Sequence, residues 1–263
     1  MTGVAQWPMR VLLVLLYLFL LAPILLIFVM SLSDDAFLAF PPENWGFRWY
    51  RTLLTNESFL AAFRVSVAVG AVTTAISLAA GVPAAYAIAR YRFPGRQGLF
   101  GFFTAPLLLP SIVLGLAILL VFFRLALTAT YAGLVLSHLV VTLPYVVRII
   151  VTSIGGLPED LEDAAATLGA PPWLVFRRVT LPLILPGMLA SAALAFLVSF
   201  DEVVISLFVV GPRLTTLPIA IFRYVQFKTD PQIAALGVVL ILGTMLIVVL
   251  VERTVGFMRA FGR

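Results

Sequence analysis

Charged residues divide the chain into long uncharged stretches. Residues 11–33, 65–89, 97–123, 125–147, 179–200 and 231–251 contain no Asp, Glu, Lys or Arg. A helix needs about 20 apolar residues to cross the hydrocarbon core of a bilayer. Each of these stretches reaches that length, whereas the uncharged run 203–212 reaches about half of it. The pattern predicts an all-α, polytopic membrane protein forming one domain over 1–263. Its six transmembrane helices are expected at about 11–33, 63–89, 97–123, 129–150, 180–210 and 231–251. The first stretch is too long for the core of a signal peptide, and no small-residue cleavage site follows it, so it is expected to remain as a helix. Pro23 inside it is compatible with a membrane helix.

The basic residues set the orientation. With the N-terminus inside, the cytoplasmic segments hold Arg10, Arg90, Arg92, Arg96, Arg148, Arg177, Arg178, Arg253, Arg259 and Arg263. The opposite side holds Arg48, Arg51, Arg124, Arg213, Arg223 and Lys228, and Arg64 is expected at the outer end of the second span. Both termini are therefore expected in the cytoplasm.

Composition narrows the function. The chain is 62% hydrophobic and 11% charged, with a mean hydropathy of +1.14. Soluble domains carry roughly 45–50% apolar and about 25% charged residues. A soluble enzyme, a nucleic-acid module and a disordered chain are excluded. There is no Cys and one His, so neither a disulfide frame nor a His/Cys zinc site can form. The lone lysine, Lys228, is not set in a phosphate-binding loop. No HExxH, no Ser/His pair and no pair of buried aspartates marks an intramembrane protease or lipid enzyme.

Two features fit helix packing and the membrane boundary. Thr73, Ser77 and Gly81 recur at spacing four, with Gly70 one turn earlier, which is the pattern of a close helix–helix seam. Trp45, Phe47, Trp49 and Tyr50 cluster in the loop after the first span. Such aromatics suit an interfacial anchor or a docking surface for an outer partner.

The loop between the fourth and fifth spans, 155–180, is longer than a turn requires. Pro158, Glu159 and Asp160 open a helix with carboxylates at its positive end, and Ala164, Ala165 and Ala166 favour its interior. Gly169 closes it. Pro171 and Pro172 then start a second short helix through Trp173, Leu174 and Phe176, with Arg177 and Arg178 near its end. Leu161, Leu168, Trp173 and Phe176 put large apolar groups on a segment outside the bilayer, suited to a groove on another protein.

Here the chain resembles a known family. Permeases of binding-protein-dependent ABC importers carry a loop of pattern E-A-A-x-x-x-G, nine residues, I-x-L-P. In this chain Asp163-Ala164-Ala165 precedes Gly169 at that spacing, and Val179-Thr180-Leu181-Pro182 follows after the same interval. Asp for Glu and Val for Ile keep the chemical type. Trp49-Tyr50, Tyr91-Arg92-Phe93-Pro94-Gly95, Ser199-Phe200-Asp201-Glu202-Val203-Val204, Gly211-Pro212 and Leu217-Pro218 resemble the second permease of spermidine/putrescine importers. The resemblance implies a type I importer fold in a bacterial inner membrane, with the loop Asp163–Gly169 as its coupling helix and ATPase coupling at Asp163, Ala164, Ala165, Leu168, Gly169, Ala170, Pro171, Trp173 and Phe176. It also implies a second, homologous permease, two ATPase subunits, an extracytoplasmic substrate-binding protein and surrounding lipid, with no nucleic acid. Such a chain is a pore subunit and not itself an enzyme. It holds no cofactor, and ATP and Mg belong to the partner ATPase.

Ionisable groups inside a membrane are costly and commonly functional. Asp201-Glu202 falls within the expected fifth span. On a straight helix Ser199, Glu202 and Ser206 share one face, while Asp201 shares its face with Leu197, Val204, Ile205 and Phe208. That arrangement puts Glu202 on a pore-like face and ranks it above Asp201, unless the helix breaks at the pair. In the fourth span Tyr131, His138, Thr142 and Tyr145 form a second stripe, suited to pore lining or to packing. The substrate pathway is thus expected at Ser199, Asp201, Glu202, Ser206, Phe208, His138, Thr142 and Tyr145. The acidic pair favours a cation, and the resemblance implies a polyamine, putrescine or spermidine, or a related small cationic amine. The same frame serves permeases for 4-aminobutyrate, opines, iron, thiamine and phosphonate. A channel or a secondary transporter without an ATPase is the alternative class, and it leaves the apolar loop unexplained.

Overall fold

In a computed structural model the chain is helical, and the structure describes residues 6–261. Arg263 of the cytoplasmic arginine set lies outside the described residues, as does the Arg259 side chain. The helices are α1 (Gln6–Ser31), α2 (Arg48–Thr55), α3 (Glu57–Arg90), α4 (Arg96–Thr104), α5 (Ser111–Arg124) and α6 (Tyr131–Gly155). They continue with α7 (Asp160–Thr167), α8 (Pro172–Val175), α9 (Leu181–Phe200), α10 (Val204–Val209), α11 (Leu217–Phe227) and α12 (Gln232–Phe261). A 3-10 turn, Ala105–Leu108, extends α4, and a π-helical turn, Phe176–Thr180, joins α8 to α9.

Among the described residues, five apolar helices are long enough to cross a membrane: within α1, α3, α6, the α8–α9 rod and α12. The expected span 97–123 differs. It is a pair, Arg96–Leu108 and Ser111–Arg124, bent by 105°, and it makes the sixth span only when counted as one. The break follows from Pro110. A residue before proline is driven out of the helical region, and Leu109 is extended at φ −91°, ψ 138°. The fifth span also departs from expectation. Its helix begins at Pro172 instead of 180 and stops at Phe200, so 180–210 is not one helix. Helix α3 begins at Glu57, which puts Arg64 inside the helix and not at its outer end.

Two compact units form, Met1–Leu60 with Ile221–Met245, and Ala61–Ala220 with Leu246–Arg263. In the first, α1 is exposed along its apolar length. The loop after it is folded around Asp35. That carboxylate accepts from Ser33 Oγ at 2.9 Å, Glu43 N at 3.0 Å, Asn44 N at 3.1 Å and Asn44 Nδ2 at 2.8 Å. These donors, the Asn44 amide foremost, hold the Asp35 carboxyl below its ordinary value. Trp49 and Leu53 turn inward, while Phe37, Phe40, Trp45 and Phe47 stay exposed.

The second unit holds the candidate site. Helix α6 packs along α9, and α10 along α5. One apolar cluster joins Val82, Ala85 and Ile88 of α3 to Val147, Ile150 and Ile184. The small-residue positions of α3 allow this approach. A Cβ on Gly81 would lie 2.8 Å from Val146 Cγ1, and one on Gly70 would lie 3.1 Å from the Phe196 ring. Ser77 Oγ meets Thr142 Oγ1 at 2.8 Å.

Candidate functional site

The α6–α9 connection is built as its sequence directs. Asp160, Glu162 and Asp163 fill the first turn of α7, where carboxylates meet the positive helix end. At its far end Gly169 takes φ +81°. Gly169 N donates to Ala166 O at 2.9 Å and Ala170 N to Ala165 O at 3.2 Å. These two bonds form a Schellman cap, which needs a left-handed residue at Gly169. Pro171 is extended, and Pro172 opens α8. The second short helix is not free-standing. It runs through the π turn into α9 as one rod, Pro172–Phe200, so the loop expected over 155–180 ends earlier, before Pro172.

This segment has two faces. Leu168 is 89% and Trp173 68% exposed, and Leu161, Asp163, Ala164, Ala166, Gly169 and Pro171 are exposed with them. Ala165, Ala170 and Phe176 are half-buried, with the Phe176 ring 5.1 Å from Tyr86 and 5.9 Å from Trp173. Glu162 points inward and was not among the expected residues. It accepts from Thr180 Oγ1 at 2.7 Å, Arg90 Nε at 3.2 Å and the Tyr86 hydroxyl at 3.4 Å. The only hint in the sequence is a second carboxylate directly before Asp163.

The expected substrate-path residues separate into two groups. His138 is 1% exposed, with Nδ1 2.7 Å from Ser199 Oγ and Nε2 2.9 Å from Ser206 Oγ. A neutral imidazole offers one donor and one acceptor, so one serine accepts from it and the other donates. Thr142 Oγ1 donates to His138 O at 3.0 Å. The expectation of no Ser/His pair is corrected here, because the fold sets His138 against two serines 61 and 68 residues away; with Ser77 and Thr142 they form a buried hydroxyl cluster joining α3, α6, α9 and α10. Tyr145 of the same stripe is half-buried, and Tyr131 is exposed. Phe208 packs with Ile205 and Val209 in the second apolar cluster, and a Cβ on Gly115 of α5 would meet its ring.

Asp201 and Glu202 lie in the break between α9 and α10. Asp201 is the last residue held by α9: at φ −93°, ψ 4° it leaves helical geometry, while its N–H still donates to Leu197 O at 3.0 Å. The straight-helix face of Ser199, Glu202 and Ser206 is therefore not formed. Both serines turn to His138, while Glu202 Oε1 accepts from Ile205 N at 2.9 Å and caps α10. Asp201 is the exposed member of the pair. No group of three His, Cys, Asp or Glu that could hold a metal occurs among the described residues.

Replacing His138 by Leu keeps bulk and strands both serines. A buried polar group left unpaired costs about 1–3 kcal/mol, but a helical serine can turn to its i−4 carbonyl. The expected loss is about 1–2 kcal/mol, read as a lower unfolding midpoint in detergent. An unchanged midpoint would remove the cluster from the stability of this unit.

Comparison with known proteins places this architecture. Residues 77–258 match the family model described as binding-protein-dependent transport system inner membrane component. The chain is 35% identical over 253 residues to the putrescine transport system permease protein PotI of Escherichia coli (strain K12), covering 93% of this chain and 89% of that protein. It is 31% identical over 237 residues to the spermidine/putrescine transport system permease protein PotC of the same organism, covering 89% and 88%. A crystal structure of a bacterial ABC transporter involved in alginate import contains a chain that superposes with TM-score 0.73 at 18% identity, covering 96% and 95%.

Proposed function

The chain belongs to the family of binding-protein-dependent transport system inner membrane components, and we propose that within it this permease carries polyamines, putrescine or spermidine, into the cell. It is a multi-pass permease subunit of an ABC importer. The polyamine reading is carried by one observation, the 35% identity to a putrescine permease over 93% of the chain. The exposed Asp201 beside Glu202 supports a cationic cargo. A second, homologous permease completes the pore, and an extracytoplasmic binding protein delivers substrate. Two ATPase subunits hold ATP and Mg; one docks on Leu168, Trp173 and the outward face of α7, and the other on the loop of the second permease.

Two measurements test this. Affinity purification of the tagged chain with its operon neighbours should recover an ATPase, and membrane vesicles should import labelled putrescine or spermidine. Uptake of 4-aminobutyrate or iron in place of either amine would transfer the chain to another importer of the same class.

The orientation has its own test. Both termini and α7 are cytoplasmic in this reading, and the loop after α1 is outside. The chain has no cysteine, so single introduced thiols have no background. Ala166→Cys should react with an impermeant reagent only from the cytoplasmic face, and Asn44→Cys only from the outer face. Labelling of both from one face would defeat this topology.

A further inference from the structure

Within α7 two consecutive carboxylates do different things. Asp163 is exposed, whereas the Glu162 side chain is 15% exposed and that of its partner Arg90 is 8% exposed. Glu162 collects donors from Tyr86 and Arg90 in the last turns of α3 and from Thr180 at the start of the α9 rod. Arg90 also donates Nη1 and Nη2 to the Leu157 carbonyl, each at 3.4 Å, just beyond α6. One side chain of α7 thus touches two membrane helices and, through Arg90, the end of a third. A half-exposed ion pair contributes little, and Glu159, 73% exposed and 3.9 Å from Arg90, is of that kind. A pair with so little water depends on complete pairing.

Each covalent link of α7 has one glycine at which it can turn, Gly156 before it and Gly169 after it, beside prolines that fix their own φ, Pro158 and Pro171. Glycine leaves the backbone freer than any other residue. A push on the outward face of α7 can reach the membrane through these links, through the packing of α7 on α8 and the π turn, or through Glu162, the polar tie to both α3 and the start of α9.

We propose that Glu162 is a positioning residue that clamps α7 to α3 and α9. A displacement imposed on the outward face then reaches both spans instead of being absorbed by the glycine links. The inference rests on the coupling-helix reading of α7 and adds to it the residue through which motion leaves that helix. Arg90 and Thr180 are the receiving ends.

The test uses the complete importer in vesicles and reads ATP hydrolysed per labelled putrescine or spermidine imported, whichever the wild type takes up faster. Glu162→Ala should assemble with wild-type amounts of ATPase subunits, because the docking face is untouched. Uptake should fall at least fivefold while hydrolysis persists, so the ratio rises by the same factor. Glu162→Gln keeps the Thr180 bond without the charge and should lie between. Adding Thr180→Ala to Glu162→Ala should change the ratio no further. An unchanged ratio in Glu162→Ala overturns the clamp, and so does loss of the ATPase subunits, which would put Glu162 in the docking surface. If Glu162→Ala does not accumulate, the ratio in Glu162→Gln decides by the same criterion. Gly169→Asp in the same assay separates the two readings. A normal Gly169→Asp refutes coupling through α7, whereas a defective Gly169→Asp beside a normal Glu162→Ala refutes the clamp alone.

Discussion

Gly169→Asp is expected to leave the protein in the membrane and to reduce uptake at least tenfold. The residue sits at φ +81° in the cap of α7, and a Cβ there meets nothing within 4 Å. Steric collision is therefore absent, and two effects remain. An L side chain in the left-handed region costs roughly 1–2 kcal/mol, enough to loosen the Schellman cap without unfolding a membrane helix. A carboxylate is also placed between Leu168 and Trp173, the two most exposed apolar side chains of this segment. An apolar groove on an ATPase has to desolvate that charge, which costs several kcal/mol unless a partner is found. Gly169→Ala supplies the strain without the charge, so it should give a smaller defect. The measurements are substrate-stimulated hydrolysis and uptake at matched protein levels. Wild-type values in Gly169→Asp would contradict the docking role of this surface.

The double variant Asp201→Asn with Glu202→Gln is expected to reduce uptake of putrescine by at least tenfold. An amine entering a narrow path sheds water, and a carboxylate along it offsets the loss. A hydrogen bond to a charged group contributes about 1.5–3 kcal/mol, which is roughly 10- to 100-fold in an equilibrium. The break after Phe200 changes which residue matters more. Glu202 already accepts the Ile205 amide, and a glutamine Oε1 serves that bond as well. Asp201 is exposed, so Asp201→Asn should carry the larger share. The affinity of the separate binding protein should not change. Full uptake by the double variant would remove both carboxylates from the cation path, and a larger effect of Glu202→Gln would reverse the assignment within the pair.

Local punctuation was legible in the sequence, and helix continuity was not. Pro158, the carboxylates after it, the alanine run and Gly169 bracket α7 because each acts through its own backbone. Counting uncharged residues found enough length for every span but carries no information on bends. Leu109-Pro110 was a visible breaker inside 97–123, yet proline also lies inside α1, α3, α6 and α9 without ending them. The break at Asp201 has neither proline nor glycine beside it. It goes with a tertiary arrangement, His138 bonding to Ser199 before the break and to Ser206 after it. Helical spacing put both serines on one face, which they share only through a third helix. The Arg90–Glu162 pair is 72 residues apart, and no local pattern announces it.

The α8–α9 rod has a mechanical consequence. Its 29 residues span roughly 43 Å at about 1.5 Å per residue. Trp173 stands at its foot and Asp201 just past its head. A tilt of about five degrees at the foot sweeps the head through about 4 Å by lever geometry alone. That exceeds the span of a hydrogen bond, so a small rocking motion at the foot is enough to make or break any hydrogen bond of the Asp201 carboxylate at the head.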